Sequence, residues 1–341
     1  MLSATEQAVT RSPDNRSLAS ASPQERALGI LRQLHGFRDC ELVQWRVLGT
    51  GGQGQTLSAS RTDGTPVWKD HHQIAVKLFD SDSPEVDFAI GRQFETLRIL
   101  HAMLDGRFIE GWNVRVPRPL SQCNSTLGLA MTIVPGDCLH GQLLRADRRS
   151  AEHIMSSYGS IAESLRRYWE NNQRMYGDLQ LENILCDLES QTISLVDPGI
   201  PCTIWKWEEA PNEWYPASRD LSYLLFDAAA RSLKIFLTNP GTARRLNQLT
   251  ERILHSFVST VNPRSARLAL LDEIRTCTQL HIAQLTSQRD VRGLWCSWVR
   301  RTASRSIEGT LRRVREQSDQ PLEFPDHGVA NGVIQSQGGR T

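Results

Sequence analysis

The stretch Tyr176-Gly177-Asp178-Leu179-Gln180-Leu181-Glu182-Asn183-Ile184-Leu185, followed by Ser194-Leu195-Val196-Asp197-Pro198-Gly199, holds the densest set of groups able to do chemistry. Asp178 and Asn183 stand five positions apart, with apolar residues between them that can pin a loop, and Asp197 follows a strand-like triplet. Hard Mg2+ takes oxygen ligands and usually shares them with phosphate, so the Asn183 amide and the Asp197 carboxylate suit it. A second carboxylate, Asp178, can accept the proton of an attacking hydroxyl. Each half also reads as an ordinary turn, and Asp-Pro-Gly is a favoured turn sequence. The two halves in this order, downstream of two further signals, are what point to chemistry.

The first of those signals is Gly49-Thr50-Gly51-Gly52-Gln53-Gly54, which fits G-x-G-x-x-G. Alone it equally describes a hairpin turn. Strand-like segments flank it on both sides, whereas a dinucleotide fingerprint must open a helix; a strand-loop-strand version lays backbone N–H groups over nucleotide phosphates. The second signal is Lys77 in the apolar run Ile74-Ala75-Val76-Lys77-Leu78. The chain has only four Lys, at 69, 77, 206 and 234, among 39 basic residues, so a Lys here is a departure from its Arg habit. A compact ammonium on a flexible stem reaches phosphate oxygens in a way a guanidinium does not; the competing reading is a Lys snorkelling from a sheet edge. Glu95, 18 residues further on, is the expected anionic partner of Lys77, although a solvated helical Glu is the ordinary alternative.

Hydrophobic spacing gives the strands and helices that would hold these groups in place. Gln24 to Gly36 reads as a short helix packing on the segments after it, and Val43 to Leu48, Gln55 to Arg61 and Gln73 to Phe79 read as strands of a small antiparallel sheet. Pro84 to Leu104 reads as one long helix, with Glu85 and Asp87 in its first turn. Another strand, Leu127 to Val134, stops at Pro135-Gly136, where a lobe boundary is placed; beyond it the chain is mainly helical, with strand-like pieces around Ile184 and at Ile193 to Val196. The expected division is a disordered tail over 1–24, an N-lobe over 25–135, a C-lobe over 136–317 and a second disordered tail over 318–341.

The 341 residues suit about two lobes. Net charge is +1, from 39 Lys+Arg against 38 Asp+Glu, so no global field drives the molecule onto nucleic acid or an anionic membrane. Seven cysteines without a CxxC pair argue against a disulfide framework or a structural zinc site. No apolar run approaches the ~20 residues of a membrane span, and the first residues lack the apolar stretch of a secretory signal. A cytoplasmic location is the expectation.

Across roughly residues 40 to 300 the chain resembles the protein-kinase-like superfamily of phosphotransferases. The resemblance implies an α+β, two-lobed protein-kinase-like fold, with a small antiparallel-sheet N-lobe carrying one main helix and a mainly helical C-lobe. It also implies ATP and Mg2+ as cofactors. Gly49, Gly51, Gly52 and Gly54 would then cover the phosphates, Lys77 would contact them and Glu95 would hold Lys77. The Thr132 carbonyl and the Val134 N–H would meet adenine, Asp178 would be the catalytic base, and Asn183 and Asp197 would be magnesium ligands. Asp220 resembles the later aspartate that braces the catalytic loop.

The departures sharpen the expectation. Gly177 stands where protein kinases carry the Arg of His-Arg-Asp, Tyr176 replaces the His, and Gln180 stands where they have a Lys that contacts the transferred phosphate. Gly-Asp is closer in style to aminoglycoside and choline kinase-type enzymes and to atypical kinases. The expected function is an ATP- and Mg2+-dependent transfer of the γ-phosphate to a hydroxyl acceptor, a small molecule ahead of a protein serine or threonine. The rival is a nucleotide-binding pseudokinase or scaffold without turnover. Trp205, Trp207 and Trp214 with Glu208, Glu209 and Glu213 could receive a cationic acceptor or simply cap the helical lobe. The Arg-rich segment 289–315 could contact RNA, but a solvated helix with inward tryptophans is the favoured reading.

Overall fold

Residues Gln73–Phe79 alternate in the way a strand covered on both faces requires: Ala75, Lys77 and Phe79 share one side, while Ile74, Val76 and Leu78 share the other, and all six are buried. The computed structural model, which describes residues 21–35, 37, 43–51, 54–80, 84–199, 215–287 and 293–317, places this strand at the centre of an antiparallel sheet. The expectations for 52 and 53, for 1–20 and 318–341, for the Trp/Glu segment 205–214 and for Arg289 and Arg292 lie outside those residues, whereas Pro23 and Gln24, expected in the tail, belong to the first helix.

The first sheet contains β1 (Val43–Gly51), β2 (Gly54–Arg61), β3 (Gln73–Phe79), β6 (Pro119–Cys123) and β7 (Gly128–Thr132), in the order β1-β2-β3-β7-β6. Helix α1 (Pro23–Leu31) lies on the face bearing Ile74, Val76 and Leu78 and closes a small core with Ala27, Ile30 and Leu31. Ser22 starts α1: its hydroxyl accepts the Glu25 N–H, and the Glu25 carboxylate accepts the Ser22 N–H, which satisfies donors the helix leaves open. The opposite face, with Ala75 and Phe79, belongs to the large core, together with Ile90, Leu97, Leu100 and Leu104 of helix α2 (Pro84–Leu104).

Beyond the strand-like pieces around Ile184 and at 193–196, the hydrophobic spacing does not announce a second sheet, yet one is present. It joins β4 (Arg107–Ile109), β5 (Trp112–Arg115), β8 (Asp137–Cys138), β9 (Ile184–Asp187) and β10 (Thr192–Leu195), in the order β4-β5-β10-β9-β8. The β5–β10 pair is parallel and the others antiparallel. Its central strand β10 is fully buried, so the chain leaves it at Val196 in a fixed direction. Around it pack α3 (Leu139–Arg145), α4 (Arg148–Ser156), α5 (Tyr158–Asn172), α6 (Tyr215–Ile235), α7 (Pro240–Ser259), α8 (Arg264–Ser287) and α9 (Gly293–Gln317). At Gly136 (φ +108°) a Cβ would sit 2.9 Å from the Cys186 backbone, so only glycine lets the connecting segment pass β9 this closely.

Candidate active site

Helix α6 anchors the loop that carries Asp178. Asp220, 1 % exposed, accepts three N–H donors: Tyr176 N at 2.6 Å, Gly177 N at 2.8 Å and the Trp169 indole at 2.7 Å. Burial pushes the Asp220 carboxyl up to about 7, while those donors pull it back toward the ionised form. The bracing role expected of Asp220 is thus given a geometry. Two further α6 residues, missed from the sequence, hold the next part of the loop: Asp227 accepts the Leu181 N–H at 3.0 Å, and Arg231 bonds Asp227 and Glu182, each at 2.7 Å. Their signal was the four-residue spacing of Tyr223, Asp227 and Arg231, which marks one helix face.

Tyr176, standing where the resemblance expects a His, is buried, and its hydroxyl donates to the Val196 carbonyl. Its own carbonyl accepts the Gly199 N–H at 3.0 Å, and Val196 N donates to the Asn183 carbonyl at 3.0 Å. The two motif segments are therefore stitched side by side, and Asp197 leaves the seam at φ +53°, a left-handed conformation Asp tolerates better than most residues.

Within this frame Asp178 accepts the Gln180 amide at 2.6 Å on one oxygen and the Asn183 amide at 3.1 Å on the other. Asn183 Nδ2 also donates to the Asp178 carbonyl at 2.7 Å, which leaves the amide oxygen as the atom Asn183 can offer a cation. Desolvation pushes the Asp178 carboxyl up to about 6, the charge of Asp197 adds to the rise, and Gln180, Lys77 and Asn183 oppose it.

Lys77, 6 % exposed, crosses from β3 to donate to Asp197 Oδ1. Glu95 does not hold it. The Glu95 carboxylate takes Arg98 in a two-pronged pair, at 2.7 and 2.9 Å, on the same helix. The reason is helical phase: the inward stripe of α2 runs through Gln93, Thr96, Leu97 and Leu100, and two residues on from Gln93 the helix has turned about 200°. Gln93, buried, is the α2 residue that reaches the site, donating its amide to the same Asp197 oxygen as Lys77.

Thr132 closes β7, its hydroxyl accepting the Arg118 N–H at 2.8 Å, and Val134 is buried just beyond. At the other end of the site Gly54 opens β2 opposite Gly51, at φ +145°, and a Cβ there would lie 1.9 Å from the Leu78 carbonyl oxygen. Gly49, by contrast, has open space where its Cβ would be.

A five-stranded antiparallel sheet with one inward helix stands before a mainly helical part, and Lys77 and Gln93 both reach across to Asp197. The fold is protein-kinase-like. No family model matches the chain and no curated protein matches it. Among solved structures, the Mycobacterium tuberculosis PknI kinase domain matches at TM-score 0.38 and 17 % identity, covering 64 % of this chain and 91 % of that one. A single-mutant form of the same domain matches at TM-score 0.39 and 16 % identity, covering 64 % and 90 %.

Among the described residues, no group of three or more His, Cys, Asp or Glu side chains could hold a metal ion unaided. Lys77 and Gln93 both address Oδ1 of Asp197, and Oδ2 is the second acceptor of the same carboxylate. Along the Arg-rich C-terminal helix, Arg313 pairs with Glu251 at 2.7 Å, Arg315 pairs with Asp272, and Glu308 receives Arg275 at 3.0 Å. These charges serve contacts within the fold. No helix among the described residues is long and apolar enough to cross a membrane.

Proposed function

We propose that this chain is an ATP- and Mg2+-dependent phosphotransferase that moves the γ-phosphate to a hydroxyl acceptor, with residues 25–135 as the nucleotide-covering lobe and 136–317 as the catalytic lobe. The observation that carries the reading is the Lys77–Asp197 contact beside the bonded pair Asp178 and Asn183, which gathers a cation, two carboxylates and an amide at one point.

Gly49, Gly51, Gly52 and Gly54 would cover the phosphates with backbone N–H groups, and Lys77 would bind their oxygens. The Thr132 carbonyl and the Val134 N–H would receive adenine. Asn183 and Asp197 would hold Mg2+, which supplies charge neutralisation for the phosphates. Asp178 orients the acceptor hydroxyl and takes its proton as the acceptor oxygen bonds the γ-phosphorus and the bond to the β-phosphate oxygen breaks, releasing ADP. The raised affinity of Asp178 for a proton suits a base that must take one near neutral pH.

A small-molecule acceptor is the favoured class. Gln180 is neutral where a protein kinase carries a Lys toward the transferred phosphate, and here it is committed to Asp178 and the Tyr223 hydroxyl.

The test is labelled ATP with Mg2+, given to the protein alone and then with a metabolite extract, beside Asp178→Ala and Asp197→Ala. Label in a small molecule with the native protein and with neither variant supports the reading. Label on protein instead moves the assignment to an atypical protein kinase, and ATP-induced thermal stabilisation without transfer moves it to a pseudokinase. The absence of both stabilisation and transfer sinks it.

A further inference from the structure

Beneath the Asp178 loop, Arg231 makes three contacts with three different partners. Its side chain is 17 % exposed; Nε donates to Asp227 Oδ1 at 2.7 Å, Nη1 to Glu182 Oε1 at 2.7 Å, and Nη2 to Gln180 Oε1 at 3.4 Å. The other end of the Gln180 amide faces Asp178 Oδ1 at 2.6 Å and the Tyr223 hydroxyl at 3.0 Å. A chain of polar contacts therefore runs from Glu182 and Asp227 through Arg231 and Gln180 to Asp178.

A glutamine amide has two ends of opposite polarity, and nothing in its shape prefers one orientation. Here the surroundings do. Turned over, the amide would set its NH2 against a guanidinium and its carbonyl oxygen against a carboxylate, two repulsions in place of two attractions. Asp227 on its own helix and Glu182 on the loop fix two of its nitrogens, so Arg231 cannot swing aside to accept the turned form. Asp227 is itself tied to the loop through Leu181 N, and helix spacing places Tyr223, Asp227 and Arg231 on one stripe under residues 178 to 182.

We propose that Arg231 is a positioning residue for Asp178, acting through the Gln180 amide, whose NH2 it keeps turned toward the carboxylate. Asp178 then meets the acceptor in one rotamer, with one oxygen held by Gln180 and the other by Asn183. The catalytic half of this inference rests on the reading of Asp178 as the base; the orienting half does not.

Two measurements separate those halves. In 15N-labelled protein, the Gln180 side-chain amide is assigned by its loss in Gln180→Leu, and its position is compared in native protein and in Arg231→Met. The expected result is a displaced and exchange-averaged Gln180 amide in Arg231→Met, with the Trp169 indole N–H, bonded to Asp220, unmoved; Arg231→Lys restores part of the native signal. An unmoved Gln180 amide overturns the proposal, and a displaced Trp169 signal overturns it in favour of a general structural role.

Turnover of ATP with Mg2+, water serving as acceptor, gives the second measurement. Arg231→Met and Gln180→Leu are each expected to lower kcat about tenfold with KM for ATP unchanged, and the double variant to lose about tenfold rather than about a hundredfold, because both act through one contact. Multiplying effects, or a change confined to KM, overturn the proposal. A native protein that turns nothing over removes the base reading, and the amide spectrum still decides whether Arg231 orients Gln180.

Discussion

Lys77 and Asp197, 120 residues apart in the chain, meet in a direct ion pair in which the ammonium is almost wholly buried and the carboxylate about one-third exposed. The exposure is asymmetric in a useful sense: the buried partner is the cation, and the carboxylate keeps a face toward solvent, where a phosphate-bound cation could reach it. Gln93 adds a neutral donor to the same oxygen, so α2 contributes to the pair without adding charge.

Gln93→Glu should weaken nucleotide binding. A new carboxylate at that buried position would lie against Asp197 and compete for Lys77, and the affinity for ATP with Mg2+ should fall about tenfold, or about 1.4 kcal/mol, by titration calorimetry. Glu95→Gln, which touches only the Arg98 pair, should leave it within about twofold. Equal losses from the two variants would return Glu95 to the site.

Transfer should depend on an ionised Asp178. Desolvation first, and then the Asp197 charge, raise its carboxyl to about 6, so the rate should fall as pH drops through about 6 and level off above it. Asp178→Asn should remove that limb and lower kcat by about 10²–10⁴. A rate flat between pH 5 and pH 7 would show that another group carries the proton.

Gly54→Ala should be costly where Gly49→Ala is not. At Gly54 the φ of +145° and the Leu78 oxygen 1.9 Å from a built Cβ both oppose a side chain, so a loss of about 3 kcal/mol or more is expected, against under about 1 kcal/mol at Gly49, where nothing lies within reach. Urea unfolding of the two variants compares them directly.

Tyr176→Phe removes the donor to the Val196 carbonyl and leaves that group facing a ring. A loss of about 1–3 kcal/mol is expected, with the Asp220 bonds intact because they use backbone N–H groups. Thermal melts beside Tyr176→Ala, which also empties the ring's buried volume, should rank the alanine variant lower.

Stability should carry a histidine signature. His281, 5 % exposed and edge-on to Tyr223 and Phe226, is held down to about 4 from 6.5 by burial and then by the Arg219 charge. The folded state keeps it neutral while the unfolded chain protonates it, so its contribution is present above pH 6.5 and is lost as pH falls toward 4, to the extent of about 3 kcal/mol. In His281→Phe the difference in unfolding free energy between pH 7 and pH 5 should shrink; an unchanged difference would place the proton uptake elsewhere.

What the amino-acid order determined alone was local. Gln73–Phe79 and Pro84–Leu104 were legible to the residue because a near-continuous apolar run and a 3.6-residue period announce them, and the joint order of the glycine turn, Lys77, Asp178, Asn183 and Asp197 announced the site. The second sheet was legible only in part, as the strand-like pieces around Ile184 and at 193–196. Its other strands are two to four residues long, too short to show a period, and β5 finds its partner β10 only after two strands of the first sheet and three helices have intervened. The partner of Lys77 was likewise a matter of rotation about a helix axis: Glu95 and Gln93 are near neighbours in the chain but face different ways once the leucines of α2 choose the core. The roles of Asp227 and Arg231 had a spacing but no distinguishing mark, since a helix of any amphipathic kind repeats every fourth residue. Period and residue type act over a turn or a strand, so the chain could name its reactive groups; which cation meets which carboxylate depends on how separate elements are rotated and packed, and only burial of the whole core decides that.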